Sequence, residues 1–318
     1  MFLKSLITLA IGLVVNYIIY KIAFTYKLKQ TVREEGPKIH YSKTGTPTMG
    51  GVSILITMFF AIVFLGGLNY HLTVLLGLIL GIGFVGLIDD ILKVIHKTNK
   101  GLYAWQKIAF QVIISLVFAW FLIRWQFPGE LSWWMKYFHF DNPYVYTGLV
   151  VLVILSSANA VNLSDGLDGL AGGTFAISSF FYGIISYIEG QADVSLFCFC
   201  IVVSLIAFLF FNFKPAKIFM GDIGSMAIGG TLGGLAFFTH APFLLVIVGG
   251  VYVLETLSVI IQVISFKLFK KRVFLMSPLH HHFELQGWTE VQVVIGFWYL
   301  AFIFGITGLL AFCYFDFH

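Results

Sequence analysis

Nine stretches of this 318-residue chain carry no Asp, Glu, Lys or Arg: residues 5–20, 44–88, 108–123, 142–164, 169–188, 194–213, 223–254, 256–266 and 291–315. A helix needs about 20 apolar residues to cross the hydrocarbon core of a bilayer. Within that core every backbone polar group must be satisfied internally, so only helices and closed barrels span it. An outer-membrane barrel would alternate apolar and polar residues over roughly 10-residue strands, whereas these runs are continuous. The chain is therefore expected to be all-α, a polytopic membrane protein. Composition agrees: 59% of residues are hydrophobic and 11% charged, against about 45–50% and about 25% in soluble domains. That balance excludes an ordinary soluble enzyme, a disordered chain and a nucleic-acid-binding domain.

The 44–88 run holds two spans, broken at Gly66-Gly67-Leu68-Asn69-Tyr70-His71, and 223–266 holds two, broken near Thr239-His240-Ala241-Pro242. The expectation is ten helices, over roughly 2–24, 50–67, 72–95, 106–124, 144–160, 170–188, 194–212, 224–239, 243–266 and 291–313. The first is read as a retained span and not a cleaved signal, since no convincing small-residue cleavage pattern follows it. Ten spans put both termini on one side. The alternate loops 25–49, 93–107, 159–169, 213–223 and 267–290 hold 15 of the 19 Lys and Arg residues. The positive-inside rule makes those loops cytoplasmic and both termini extracytoplasmic. Residues 1–318 then form one transmembrane domain. Its three cysteines, Cys198, Cys200 and Cys313, sit in apolar runs and read as small buried hydrophobes.

Carboxylates fall where a bland membrane protein would avoid them. Asp89, Asp90, Asp165, Asp168 and Asp222 lie at cytoplasmic span ends or in short loops beside them. One Asp at the bilayer centre costs about 2.5–3.5 kcal/mol on insertion scales, so five facing lipid are untenable and a polar cleft must receive them. The expected cleft is built from 25–49, 89–107, 159–169, 212–225 and 267–290.

Four motifs supply it. In DDILK (89–93) Asp89 and Lys93 stand four apart and Asp90 and Lys93 three apart, so they share a helix face. NAVNLSDGLDG (159–169) gathers Asn162, Asp165 and Asp168 in a loop without a cation. FNFKPAKIFMGDIGS (211–225) carries Asn212, Lys217, Phe219, Asp222 and Ser225. SPLHHHFELQGW (277–288) carries His280, His281 and His282. Adjacent helical residues point about 100° apart, so three neighbouring histidines chelate one zinc poorly; imidazoles donating to phosphate or sugar oxygens fit better. Before the second span, KTGTPTMGG (43–51) brings Lys43 and Thr48 but lacks the P-loop spacing.

Aspartates without Cys or spaced His ligands favour a hard cation. Mg²⁺ takes one or two protein carboxylates and completes its shell with water and substrate phosphates. Lys43, Lys93, Lys217 and the histidines are available to neutralise phosphate. The set suits phosphoryl transfer, in which positioning and electrostatics supply most of the catalysis, and a membrane setting suggests that one reactant is a lipid phosphate. A transporter would place carboxylates near span centres. Only Glu255 lies there, and it reads as a helix-packing carboxylate near a lipid groove.

DDILK, NAVNLSDGLDGLAGG, NFKPAKIFMGDIGSMAIGG and MSPLHHHFELQGW, in that order, resemble the phospho-N-acetylmuramoyl-pentapeptide transferase family, a branch of the polyprenyl-phosphate N-acetylhexosamine-1-phosphate transferases. The resemblance runs from about residue 36 to 300, and TPTMGG with the histidine run points to the muramoyl branch. It implies transfer of phospho-MurNAc-pentapeptide from UDP-MurNAc-pentapeptide to undecaprenyl phosphate with Mg²⁺ at the cytoplasmic face of the bacterial inner membrane, giving lipid I and UMP, by a homodimer. A sister enzyme using UDP-GlcNAc is the alternative. By motif, Asp222 resembles the metal ligand, with Asp89, Asp90 and Asp168 as further candidates. Asp89 and Asp90 resemble the pair near the lipid phosphate. Asp165 and Asp168 resemble the nucleoside and metal-side carboxylates. Asn162, Asn212, Phe219 and Ser225 resemble uridine-pocket positions; Lys43, Thr48 and Lys93 resemble phosphate and uridine contacts. His280 to His282 resemble the essential histidine motif. One departure stands out: relatives often carry a basic residue where Trp105 stands. Lys107 is not expected to replace it, so no phosphate contact is expected from that loop.

Overall fold

A computed structural model describes residues 2–28, 43, 45–96, 98, 100–125 and 142–316. Residues 29–42 of the expected cytoplasmic loop 25–49, Thr44, and the outer loop 126–141 with Lys136 lie outside the described residues. The described chain is helical throughout, and the expected spans are found. Helix α1 is Phe2–Thr25; α2 is Gly51–Phe60, continued by a π-helical turn over Ala61–Gly66; α3 is Tyr70–His96; α4 is Ala104–Trp125. Then follow α5 (Pro143–Ser164), α6 (Leu170–Ile188), α7 (Ala192–Asn212) and α8 (Gly221–Phe238). A 3₁₀ turn (Pro242–Leu244) leads to the short α9 (Leu245–Val248), then α10 (Gly250–Phe269), α11 (Leu279–Leu285) and α12 (Glu290–Asp316).

Among the described residues eight helices are long and apolar enough to cross a bilayer. The other two expected spans are the shorter α2 with its π turn and α8. Two differences from the sequence reading stand out. The expected span 243–266 is broken, with Gly249 between α9 and α10. At the start of α10 a Cβ on Gly250 would lie 2.7 Å from the Phe304 ring of α12, so glycine lets these two helices approach closely. The histidine motif is also not loop but the seven-residue α11.

Local chemistry sets the helix limits. Asn142 caps α5, its side chain accepting from the Tyr144 N–H at 2.9 Å, and Pro143 supplies a first-turn φ without needing a donor. Lys93 and His96 occupy the last turn of α3, where cations suit the helix dipole.

The fold is organised around α8, which is buried along nearly its whole length. Lipid tails are as apolar as Leu, so helices in a bilayer associate by close packing, which small residues permit. Here α8 reads GDIGSMAIGGTLGG from Gly221 to Gly234, with α3 on one side and α5 on another. A Cβ on Gly86 of α3 would sit 2.3 Å from the Asp222 carbonyl oxygen, and one on Gly51 of α2 would sit 2.3 Å from Gly224 Cα. These contacts bring the start of α8 against the DD end of α3. In contrast, α10 shows Leu254, Leu257, Ile260, Ile261, Val263 and Ile264 outward, as a lipid-facing helix does. All three cysteines are free, and Cys198 and Cys200 are buried as expected.

Candidate active site

Three polar ends meet at one face of α8. The strand-like segment at Pro47 is stitched to the approach of α8: Phe219 N–H donates to the Pro47 carbonyl, Gly50 N–H to that of Phe219 and Gly51 N–H to that of Met220, each at 2.8 Å. Thr48 is thereby brought beside Gly221. Gly221 has φ +75°, the left-handed region, and a Cβ there would fall 2.4 Å from Asp90 Oδ2. Glycine is required at that turn on both grounds. Asp90 then takes the start of α8, its Oδ2 accepting from Ile223 N–H at 3.0 Å.

Asp89, Asp90 and Asp222 can offer carboxylate oxygens that all lie within 4.8 Å of one another. Asp89 is 0% and Asp90 2% exposed. Lys93 Nζ stands 2.7 Å from Asp89 Oδ2, 3.1 Å from Asp222 Oδ1 and 3.8 Å from Asp90 Oδ1. A second ammonium is present. Lys107 Nζ lies 2.6 Å from Asp222 Oδ2 and 3.0 Å from Asp89 Oδ2. The 89–107 segment thus lies at the cluster, as expected, and Lys107, from which no phosphate contact was expected, is one of its two cations. Leu102 N–H donates to Asp89 Oδ1 at 2.7 Å, which docks the loop and delivers Lys107 in the first turn of α4, while Trp105 is exposed.

A second ion cluster adjoins the 165–169 loop. Lys43 Nζ bonds Asp168 Oδ1 at 2.7 Å and Glu290 Oε1 at 2.5 Å. Lys214 pairs with the other oxygen of Glu290. Glu290 Oε1 also accepts from Asp168 N–H at 2.8 Å, and Asp168 Oδ2 from Ala216 N–H at 3.1 Å. Asn162 Nδ2 donates to Ser225 Oγ at 2.9 Å, so these two expected pocket residues are neighbours. Asn212 is buried and uses its amide on backbone: Oδ1 accepts from Gly169 N–H and Nδ2 donates to the Ile218 carbonyl, both at 3.0 Å. It builds the loop framework. Lys217 does not join either cluster; it is exposed, with Nζ 5.9 Å from the Phe211 ring centre. Lys214 of the same motif stands in the place expected of it.

The three histidine rings fan out. His280 is buried against Glu255, His281 Nδ1 lies 2.8 Å from Glu284 Oε2, and His282 Nδ1 accepts from Leu275 N–H at 3.2 Å. They share no centre, in keeping with the geometric objection to one chelated metal. Glu255 does not simply pack; it is the partner of His280. Sequence reasoning also missed Glu290 and Lys107. Both stand at helix starts, where a charge ordinarily reads as solvated.

Asp165 lies in the loop between α5 and α6, half-buried. Burial first, then the charges of Asp222, Asp90 and Asp168, push its carboxyl up to about 8, against the pull of Lys43. The folded protein thus keeps this proton to about 8, whereas the unfolded chain releases it near 3.8. The folded state binds more protons across that window, so stability falls as pH rises through it. In chelator-treated detergent solution, Tm is expected to fall more steeply from about pH 5 to about pH 8 for the wild type than for Asp165→Asn. Equal slopes would contradict the assignment.

The donor set fits a hard divalent cation: three carboxylates on rigid elements and no thiolate or imidazole among them. Asp222 is the least enclosed of the three, with 14% of its side chain accessible.

Comparison with known proteins shows the family. A family model described as glycosyl transferase family 4 matches residues 72–240. That stretch includes Asp89, Asp90, Asp165, Asp168 and Asp222. The phospho-N-acetylmuramoyl-pentapeptide-transferase of Shouchella clausii is 48% identical over 294 residues, covering 91% of this chain and 90% of the relative. The enzyme of the same name from Bacillus subtilis is 41% identical over 312 residues, covering 96% of each. That from Anoxybacillus flavithermus is 45% identical over 294 residues, covering 91% of each. This chain belongs to the phospho-N-acetylmuramoyl-pentapeptide-transferase family. As a member of that family it is a multi-pass membrane enzyme.

Proposed function

We propose that this protein transfers phospho-MurNAc-pentapeptide from UDP-MurNAc-pentapeptide to undecaprenyl phosphate, giving lipid I and UMP, at the cytoplasmic face of the bacterial inner membrane. The observation that carries the proposal is the buried Asp89–Asp90–Asp222 cluster with two lysine ammoniums on it, beside a second cluster that holds Lys43 and Lys214. Four cations around one cleft suit a diphosphate and a lipid phosphate better than a neutral ligand. The side follows from the loops: those bearing 15 of the 19 Lys and Arg residues also bear the cleft.

Asp222 is the principal ligand proposed for Mg²⁺, with Asp89 and Asp90 completing the carboxylate face and Asp168 nearby. When bound, the ion would neutralise charge on the diphosphate and polarise its oxygens. Lys93 and Lys107, which now neutralise the carboxylates, would turn to phosphate oxygens as substrate enters. Lys43 does the same for the nucleotide phosphates, released from Asp168 and Glu290. Asn162, Ser225, Thr48 and Phe219 line the side proposed for uridine, and Asn212 sustains it. An oxygen of the lipid phosphate attacks the sugar-linked phosphorus; the bond to the uridine-linked phosphate breaks, and UMP leaves with the electron pair. A phosphate monoester has a second pKa of about 6, so the nucleophile is ionised at neutral pH and Asp89 orients it without taking a proton.

The test is UMP release by purified protein in detergent. Release should require both substrates, stop with chelator and return with Mg²⁺. Release that persists in chelator would remove the metal from the proposal.

A further inference from the structure

Glu255 lies within α10 and is fully enclosed, at 0% exposed. A carboxylate in a spanning helix is costly and faces a partner. The partner is His280, across 25 residues of sequence. Glu255 Oε1 accepts from the His280 backbone N–H at 3.3 Å, and Oε2 faces His280 Nδ1 at 3.2 Å. The imidazole is 1% exposed. Its other nitrogen, Nε2, is buried and has no hydrogen-bond partner. That nitrogen points at Gly166, where a Cβ would lie 2.3 Å from it. Gly166 follows Asp165 and precedes Asp168, so the bare nitrogen borders the cleft. The neighbouring rings do not compete for the position. His281 turns to Glu284, and His282 to Leu275 and Gln286.

A buried polar atom left unpaired costs about 1–3 kcal/mol, and only a glycine at 166 lets this nitrogen lie so close to the 165–169 loop. A carboxylate on Nδ1 fixes the proton there and leaves Nε2 as the working atom. The same carboxylate steadies the ring when Nε2 is also protonated, as the aspartate of a Ser-His-Asp triad does. Together they can present an N–H donor to an anion without a net buried charge.

We propose that Glu255 is a positioning residue: it holds the Nδ1 proton of His280 and turns Nε2 past Gly166, so that when Nε2 also takes a proton it donates to a phosphate oxygen of the bound nucleotide sugar. This rests on the transferase function above. Glu255→Gln keeps the shape and a carbonyl acceptor but removes the charge. It should lower kcat for UMP release roughly 10–100-fold and move KM for UDP-MurNAc-pentapeptide by less than about threefold. Gly166→Ala, by pushing the ring aside, should lower kcat comparably. A Glu255→Gln enzyme with unchanged kcat and only a lower Tm would reduce Glu255 to packing and overturn the proposal.

A second readout needs no turnover. In ¹⁵N spectra of histidine-labelled full-length protein in detergent, the resonances lost in His280→Gln identify this ring. They should report a proton on Nδ1 in the wild type and a shift towards the Nε2–H tautomer in Glu255→Ala. An unchanged tautomer overturns the proposal. Wild-type protein that releases no UMP would overturn the transferase function instead, and the spectra would still decide the role of Glu255.

Discussion

Asp222→Asn is expected to abolish Mg²⁺-dependent UMP release, by roughly a thousandfold or more, while the protein stays folded in detergent. The magnitude follows from what a bound ion supplies: several kcal/mol of stabilisation for developing phosphate charge, at 1.36 kcal/mol per factor of ten. The selectivity follows from the geometry. Asp222 is the least enclosed carboxylate of the cluster and stands at the start of α8, where Gly86 of α3 meets its backbone carbonyl, Gly51 of α2 meets Gly224, and Lys93 of α3 contacts its side chain. Asparagine keeps the volume and leaves Asp89 and Asp90 with Lys93 and the Ile223 N–H as partners. A ligand that binds only the folded state raises its stability. Mg²⁺ should therefore raise the Tm of the wild type, and that of Asp222→Asn much less. Retained turnover, or an unaltered Mg²⁺ effect on Tm, would take Asp222 out of the metal site.

Lys107→Met is expected to lower turnover by roughly a hundredfold or more, the order found when one preorganised donor to a transition-state charge is removed. It should also destabilise the metal-free protein. Two ammoniums now serve three carboxylates, two of them buried, and removing Lys107 leaves Lys93 alone among Asp89, Asp90 and Asp222. Breaking a buried pair by removing one partner typically costs about 3–5 kcal/mol. Mg²⁺ should restore part of the lost Tm, because the cation takes over the neutralising charge, but should not restore turnover. Lys271→Met, changed on the exposed segment between α10 and α11, should behave as wild type. A Lys107→Met enzyme as active as Lys271→Met would place Lys107 outside the reaction.

These two residues mark the reach of the sequence. Asp222 was legible because an Asp beside a span start, ringed by glycines, has no bland explanation in a chain with so few charges. The spans were legible for the same reason: uninterrupted apolar runs admit one reading. Lys107 was not. Its place depends on Leu102 bonding Asp89, a tertiary contact that no spacing along the chain encodes. Glu290 reads as an ordinary charge at the start of the last span, until Lys43 and Asp168 are seen to converge on it from 247 and 122 residues away. The partnership of Glu255 with His280 joins a span to a short helix that sequence left as loop. Lys217 was legible only as a member of its motif, and the fold leaves it exposed and apart from both ion clusters. Periodicity and composition report burial against solvent or lipid; they do not report which buried charges face each other.

The most direct measurement is a paired assay of lipid product. Purified protein, Mg²⁺ and undecaprenyl phosphate are supplied in parallel with labelled UDP-MurNAc-pentapeptide and labelled UDP-GlcNAc, and the organic phase is counted against UMP released. Lipid-linked MurNAc-pentapeptide should appear in equal amount to UMP, with no transfer from UDP-GlcNAc above background. Transfer from UDP-GlcNAc alone would contradict the proposed substrate and assign the sister activity, and no lipid product from either donor would contradict the transferase function itself.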